Sequence, residues 1–243
     1  MIEKPMRLKV LQDAEAVARE AATHIAGLAE KAVRHRGRFI LAVSGGRTPW
    51  LMLRLLAGCE LPWESVHVVQ VDERLAPRGH PHRNLTHLQE SLLAQTRLPD
   101  HQIYAMPVES EDLPLAAVNY AHTLRHLAGT PPVLDLIHLG LGADGHTASL
   151  VPGDPVIDIH QADVALTGVY QGRRRMTLTY PIINRSRNLL WLVTGSDRSE
   201  MLRRLFQGDR TIPAGRVRRD QAVIFADADA AAQVESLPDG NLG

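Results

Sequence analysis

Several short segments of this sequence set glycine beside an acid, a base or a cation, a combination that site chemistry uses. The stretch Gly140-Leu141-Gly142-Ala143-Asp144-Gly145-His146-Thr147 follows the apolar run LDLIHL. His146 offers an imidazole, the commonest general base near neutral pH, and Asp144 stands two residues before it. The chain has twelve histidines, and the glycine-rich setting is what singles out His146. In Ser44-Gly45-Gly46-Arg47-Thr48-Pro49, the glycines let backbone N–H groups approach a ligand closely. A helix opening there turns its positive end toward a phosphate. An ordinary strand-to-helix turn is the alternative, and the spacing is not that of a Walker A loop. Asp72-Glu73-Arg74 follows VHVVQV. An arginine can grip a phosphate bidentately, and an aspartate can orient a hydroxyl, a water or a histidine. A loop ion pair or a helix cap would explain the same triplet. The densest positive cluster, Arg173-Arg174-Arg175, is either a solvated face or an anion site.

Each of the first three segments closes an apolar run, and the runs predict the elements that position them. Strands are expected at Arg38–Val43, Val66–Val71, Leu134–Leu139, Val164–Tyr170, Asn188–Thr194 and Ala222–Ala226. Helices are expected at Asp13–Arg36, Pro49–Leu56, Asn84–Leu93, Leu115–Leu127 and Asp197–Phe206. The alternation implies a doubly wound, mostly parallel α/β sheet with helices on both faces, Rossmann-like, in a single domain spanning 1–243. Pro131-Pro132 and Pro152-Gly153 read as turns, and residues 237–243 as a frayed end. In such sheets ligands bind beyond the carboxyl ends of the strands.

Gly140, Gly142 and Gly145 also satisfy G-x-G-x-x-G, the dinucleotide fingerprint. That fingerprint opens a full helix, whereas Pro152-Gly153 follows here after about one helical turn. No nicotinamide or other cofactor is therefore expected. No metal site is expected either, since no histidine pair shows a trusted ligand spacing and a cysteine-based site is impossible with Cys59 alone.

Twenty-seven basic and 27 acidic residues give a formal net charge of zero, which disfavours nucleic acid and a polybasic membrane surface as partners. With 44% hydrophobic and 22% charged residues the chain has an ordinary globular composition. The solitary cysteine suits a reducing compartment. The N-terminus lacks the apolar core of a secretory signal, and no apolar run reaches the roughly 18–20 residues that span a bilayer. A cytoplasmic protein is the expectation.

Taken together, LAVSGGRTP (41–49), VDER (71–74) with Arg83-Asn84-Leu85, LGLGADGHTASLVPG (139–153) and RRMTLTYPIIN (174–184) resemble the 6-phosphogluconolactonase family. This belongs to a superfamily that includes glucosamine-6-phosphate deaminase. WLVTGSDRSEMLRRL (191–205) and IPAGRV (212–217) fit as well, so the resemblance covers roughly residues 10–230. The deaminase branch typically continues its Gly-His segment with AFNEP, whose Glu assists ring opening. This chain has Thr147-Ala148-Ser149-Leu150-Val151-Pro152-Gly153, as in lactonases. It departs from them in having Gln171-Gly172-Arg173-Arg174 where a Lys-Pro stretch is common.

The resemblance implies hydrolysis of a sugar-phosphate lactone by a monomer or weak homo-oligomer. His146 is then the general base that activates water, with Asp144 beside it and Asp72 orienting either His146 or sugar hydroxyls. Backbone N–H groups around Gly142–Gly145 become candidate oxyanion donors. Ser44, Gly45 and Gly46, with Arg74, Asn84 and Arg175, are assigned to substrate and its phosphate. An isomerase or deaminase, and a non-enzymatic sugar-phosphate sensor, are the competing readings.

Overall fold

The structure is a computed structural model and describes residues 6–235. The expectation for 237–243 lies outside these residues. In chain order the strands are β1 (Arg7–Leu11), β2 (Phe39–Val43), β3 (Val66–Gln70), β4 (Asp72–Arg74), β5 (Ile103–Tyr104), β6 (Leu136–Gly140), β7 (Val164–Leu166), β8 (Arg175–Leu178), β9 (Asn188–Val193) and β10 (Ala222–Asp227). The helices are α1 (Ala14–Arg36), α2 (Arg47–Ala57), α3 (Asn84–Ser91), α4 (Leu113–Ala128), α5 (Tyr180–Arg185), α6 (Ser199–Gln207) and α7 (Ala228–Glu235).

Seven strands form a sheet in the order β1-β10-β9-β6-β2-β3-β5, with every neighbouring pair parallel. Side-chain alternation along a strand separates two apolar layers. Phe39, Leu41 and Val43 pack with Ile25, Met52 and Leu88 from α1, α2 and α3, while Ile40 and Ala42 join Tyr120, Ile183 and Leu202 from α4, α5 and α6. Burial on both faces explains why the central strands read as nearly continuous apolar runs. The doubly wound parallel sheet expected from the sequence is therefore present.

From β2 the chain builds outward through β3 to β5, then crosses back to place β6 on the other side of β2. This is the switch in strand order, and it opens a crevice between the carboxyl ends of β2 and β6. Ser44-Gly45-Gly46 leaves the end of β2, and Leu141–Thr147 leaves the end of β6.

Three expectations differ from the structure. The run Val164–Tyr170 is not a strand of the main sheet. Only Val164–Leu166 is extended, and it pairs antiparallel with β8, which pairs antiparallel with β4. Beyond Leu166 the chain turns back, with Tyr170 and Arg173 exchanging backbone hydrogen bonds. Helix α2 begins at Arg47 rather than Pro49. Proline is tolerated at its third position because the first-turn N–H groups have no intrahelical acceptor anyway. Strand β1 and helices α5 and α7 lie where no element was expected; β1 (RLKVL) is an edge strand that lacks the continuous apolar run of the central strands.

Candidate active site

The crevice is an open cleft of about 800 Å³. Ser44, Gly45, Gly46, Asp72, Arg74, Asn84, Gly142, His146 and Arg175 all line it, so nine of the residues singled out by sequence meet in one place. Asp144 and Gly145 stand behind it rather than in its wall.

His146 Nδ1 lies 2.5 Å from Asp144 Oδ1, and the Tyr170 hydroxyl donates to Asp144 Oδ2 at 3.0 Å. A carboxylate can only accept, so Nδ1 carries the proton and Nε2 keeps its lone pair. Nothing among the described residues bonds Nε2, and the imidazole is partly exposed to the cleft. Burial pushes the Asp144 carboxyl up, but the hydrogen bonds and charge of His146 and the Tyr170 hydroxyl outweigh this and hold it below its usual value. The Tyr170 ring meets the imidazole edge-on at 5.4 Å, which fixes the ring plane further.

Gly142 is required by this packing. A Cβ there would fall 2.1 Å from His146 Nδ1 and 2.7 Å from Asp144 Oδ1. Of the amides around Gly142–Gly145 expected as oxyanion donors, those of Gly142 and Gly145 themselves are spent inside the loop. Gly142 N–H donates to the His146 carbonyl at 2.9 Å, and Gly145 N–H to the Gly142 carbonyl at 3.0 Å. Gly145 instead faces Ile212, against which a Cβ would sit at 2.8 Å. These glycines shape the turn and are not donors to a ligand.

Asp72 does not orient His146, since Asp144 does so. The Asp72 carboxylate is buried, accepting the Ser149 hydroxyl at 2.6 Å and the Asn84 amide at 3.1 Å. Asn84 in turn accepts from Arg74 Nη1 at 3.0 Å, so the three groups form one hydrogen-bonded row along the cleft. Glu73 points the other way. It is fully buried, it receives the N–H groups of Asn84 and Leu85 at the start of α3, and it pairs with buried Arg83 at 3.1 Å. Of the readings for Asp72-Glu73-Arg74, the helix cap holds for Glu73 and a place in the cleft for its two neighbours.

The small antiparallel sheet unites two distant motifs. Asp72 pairs with Thr177, and Arg74 with Arg175 directly opposite. Like charges facing each other across a strand pair are destabilising by themselves. Both guanidinium groups border the cleft, so an anion there would relieve the repulsion. Arg175 is buried, stacks its guanidinium 4.9 Å from the Tyr170 ring centre, and leaves Nε without a partner. Burial is the main force lowering its pKa, opposed by Asp72 and reinforced by Arg74. Arg173 is turned to His80 and His82, and Arg174 to the Thr167 carbonyl, so Arg175 alone of the three lines the cleft.

On the opposite wall, α2 opens at Gly46 with no side-chain cap. Gly46 has φ +130, a backbone conformation that side chains rarely adopt. The helix's first bond runs from Trp50 N–H to Gly46 O, leaving the amides of Arg47 and Thr48 without intrahelical acceptors at the cleft. That is an anion-binding arrangement. Arg198, like Arg47, adds a further cation to the cleft; it is steadied by the carbonyls of Leu141 and Thr194 and paired with Asp197 at 2.7 Å.

Arg198, Tyr170 and Ser149 were not singled out by sequence. Arg198 and Ser149 stood inside quoted motifs, but Tyr170 carried no signal, being brought to Asp144 by the turn that follows β7. Among the described residues, no group of three or more His, Cys, Asp or Glu is placed to hold a metal ion. Nor does a full helix follow the G-x-G-x-x-G segment, which runs through turns into a short 3-10 turn at Pro155–Asp158.

Residues 12–225 match the family of glucosamine-6-phosphate isomerases and 6-phosphogluconolactonases. The chain belongs to this family. A 6-phosphogluconolactonase of Synechocystis is 38% identical over 180 residues, 72% of this chain and 75% of that protein. The 6-phosphogluconolactonase of Rattus norvegicus is 32% identical over 240 residues, 93% of this chain and 89% of that protein. The crystal structure of a 6-phosphogluconolactonase from Shewanella baltica superposes with a TM-score of 0.82 at 26% identity, covering 93% of this chain and 99% of that one. In this chain one cleft holds both the His146–Asp144 pair and the cationic wall.

Proposed function

We propose that this chain hydrolyses 6-phospho-D-glucono-1,5-lactone to 6-phospho-D-gluconate, the second step of the oxidative pentose phosphate pathway. The observation that carries the reading is the His146 imidazole, held by Asp144 with Nε2 unpartnered, facing a cleft rimmed by cations. Ester hydrolysis needs a base for water, and Nε2 is the free base at this site. A water on Nε2 would attack the lactone C1 and give its proton to the imidazole. Asp144 would stabilise the imidazolium that forms. The leaving ring oxygen would then take that proton, opening the ring to the free acid. The 6-phosphate would sit at Gly45, Gly46 and the first amides of α2, with Arg74, Arg175 and Arg198 supplying charge. Asp72 and Asn84 would contact sugar hydroxyls, with Ser149 holding the Asp72 carboxylate in place.

The isomerase reading wants a carboxylate just after the histidine. Here Thr147, Ala148, Ser149, Leu150 and Val151 follow, and the Ser149 hydroxyl is committed to Asp72. The same reading takes residues 1–243 as one unit, a monomer or weak homo-oligomer in the cytoplasm, acting on a small molecule and not on nucleic acid or membrane. The composition behind it is a net charge of zero and a single cysteine, and no described helix is long and apolar enough to cross a membrane.

The deciding experiment supplies freshly made 6-phosphogluconolactone and follows the product with 6-phosphogluconate dehydrogenase, subtracting spontaneous hydrolysis. His146→Ala should lower kcat by about 10²–10⁴-fold. A variant with wild-type kcat would remove His146 from the base role, and ammonia release from glucosamine 6-phosphate would move the chain to the isomerase side.

A further inference from the structure

A second histidine lies beneath the cleft wall, bonded to Ser44, which lines it. His138 sits in the middle of β6 and is completely buried. Strand alternation turns its side chain to the layer of Leu136, the layer that holds α2. The β2–β6 ladder ends at Ala42↔Ile137. Just beyond that point the pairing passes to His138, where Ser44 N–H donates to the imidazole Nδ1 at 3.3 Å and Ser44 Oγ donates to the His138 carbonyl at 2.8 Å.

We propose that His138 is a positioning residue for the phosphate loop: a neutral imidazole with an unprotonated Nδ1 that fixes the direction in which Gly45 and Gly46 leave the sheet. The proposal rests on the reading that this loop holds the 6-phosphate.

The proton bookkeeping has one solution. The Ser44 amide can only donate, so Nδ1 must accept and the ring proton lies on Nε2. Nε2 is buried and has no partner. A leucine in the same place would avoid that unpaired donor, which carries a cost of its own. The imidazole's one hydrogen bond is the contact to Ser44, at the residue where the chain leaves regular structure. Burial favours the neutral ring that this contact needs. Two glycines follow, and a glycine loop without an anchor must be ordered at the moment of binding. An anchored loop presents its amides already set.

Side-chain substitution leaves the His138 carbonyl in place, so the Ser44 Oγ contact survives and Nδ1 alone is tested. His138→Leu should raise KM for 6-phosphogluconolactone roughly five- to tenfold, the worth of one hydrogen bond, with kcat held within about twofold. Its kcat/KM on unphosphorylated glucono-1,5-lactone should hardly move. His138→Asn places an amide oxygen near the Nδ1 position and should recover most of the KM. Equal losses on both lactones, or an unchanged KM in the leucine variant, would overturn the proposal by reducing His138 to packing.

Should the leucine variant fail to fold, ¹⁵N-histidine spectra of the unaltered protein test the same point. The His138 Nδ1 should resonate as an unprotonated acceptor and shift when 6-phosphogluconate saturates the site. A proton on Nδ1, or a signal blind to the ligand, would refute it. If the unaltered enzyme does not prefer the phosphorylated lactone and inorganic phosphate does not inhibit it, the phosphate-loop reading itself has failed. If it does both and the variants show no split, only the role of His138 falls.

Discussion

Replacing Gly142 by alanine is the sharpest test of the catalytic geometry, because it moves His146 without removing any functional group. Gly142 does not have the left-handed backbone that excludes alanine, so the effect is steric. The new Cβ would stand 2.1 Å from Nδ1 and 2.3 Å from Cε1, where 3.4 Å is the lower bound of ordinary contact. Relieving the clash takes a displacement of about 1.3 Å, read from those two distances, and Asp144 Oδ1 at 2.7 Å blocks one direction of escape. Misplacing a catalytic group by about 1 Å costs on the order of 10²-fold in rate. Gly142→Ala should therefore cut kcat about a hundredfold, with KM changed less than about threefold because the phosphate wall is untouched. The coupled dehydrogenase assay reads both constants, and a thermal melt checks that the fold survives. A stable variant with kcat within about threefold of the parent would show that the position of His146 does not limit the reaction.

Other perturbations separate the remaining roles. Asp144→Asn should lower kcat by up to about 10²-fold, since an uncharged neighbour no longer stabilises the imidazolium formed during the reaction; an unchanged kcat would refute the role of the Asp144–His146 contact. Arg175→Ala should raise KM about tenfold or more, the worth of a charge-assisted hydrogen bond, whereas Arg174→Ala should leave KM alone; matching effects would mean the cationic wall is misassigned. Burial pushes the His138 pKa from 6.5 down to about 3. An unfolded chain then binds the extra proton between those limits, so stability is complete above about pH 6.5 and is lost as the pH falls below it. Urea unfolding should show His138 contributing a loss of about 2 kcal/mol between pH 7 and pH 5. The pH dependence of His138→Leu should be flatter by that amount, and identical slopes would refute the assignment.

The strand ends were legible because both chemistry and topology leave local marks. Apolar runs closed by glycine and polar residues located β2, β3 and β6, and an isolated His-Asp spacing within one such segment picked out His146 and Asp144. What stayed hidden depends on contacts between segments far apart in the chain. That Asp144 rather than Asp72 orients His146 follows from a tight turn folded around Gly142, and a string of residue types carries no such angle. The resemblance assigns Arg175 to the substrate, but the reason that it and not Arg173 or Arg174 enters the cleft is its register opposite Arg74, which needs a second strand about a hundred residues away in sequence to define it. Tyr170 and His138 were illegible for the same reason. A tyrosine in a turn and a histidine in an apolar strand are ordinary by sequence, and each acquires a role only from the partner that folding places within hydrogen-bond reach.

The sequence by itself determined the alternating parallel architecture, the cleft at the strand ends and the residue types available there, because periodicity and glycine placement are local properties of the chain. The tertiary structure decided which donor meets which acceptor. It spent the glycine amides inside their own turn, gave Glu73 to a helix start and set His138 under the phosphate loop. Hydrogen bonds are short and directional, so those assignments exist only once the strands have been brought side by side.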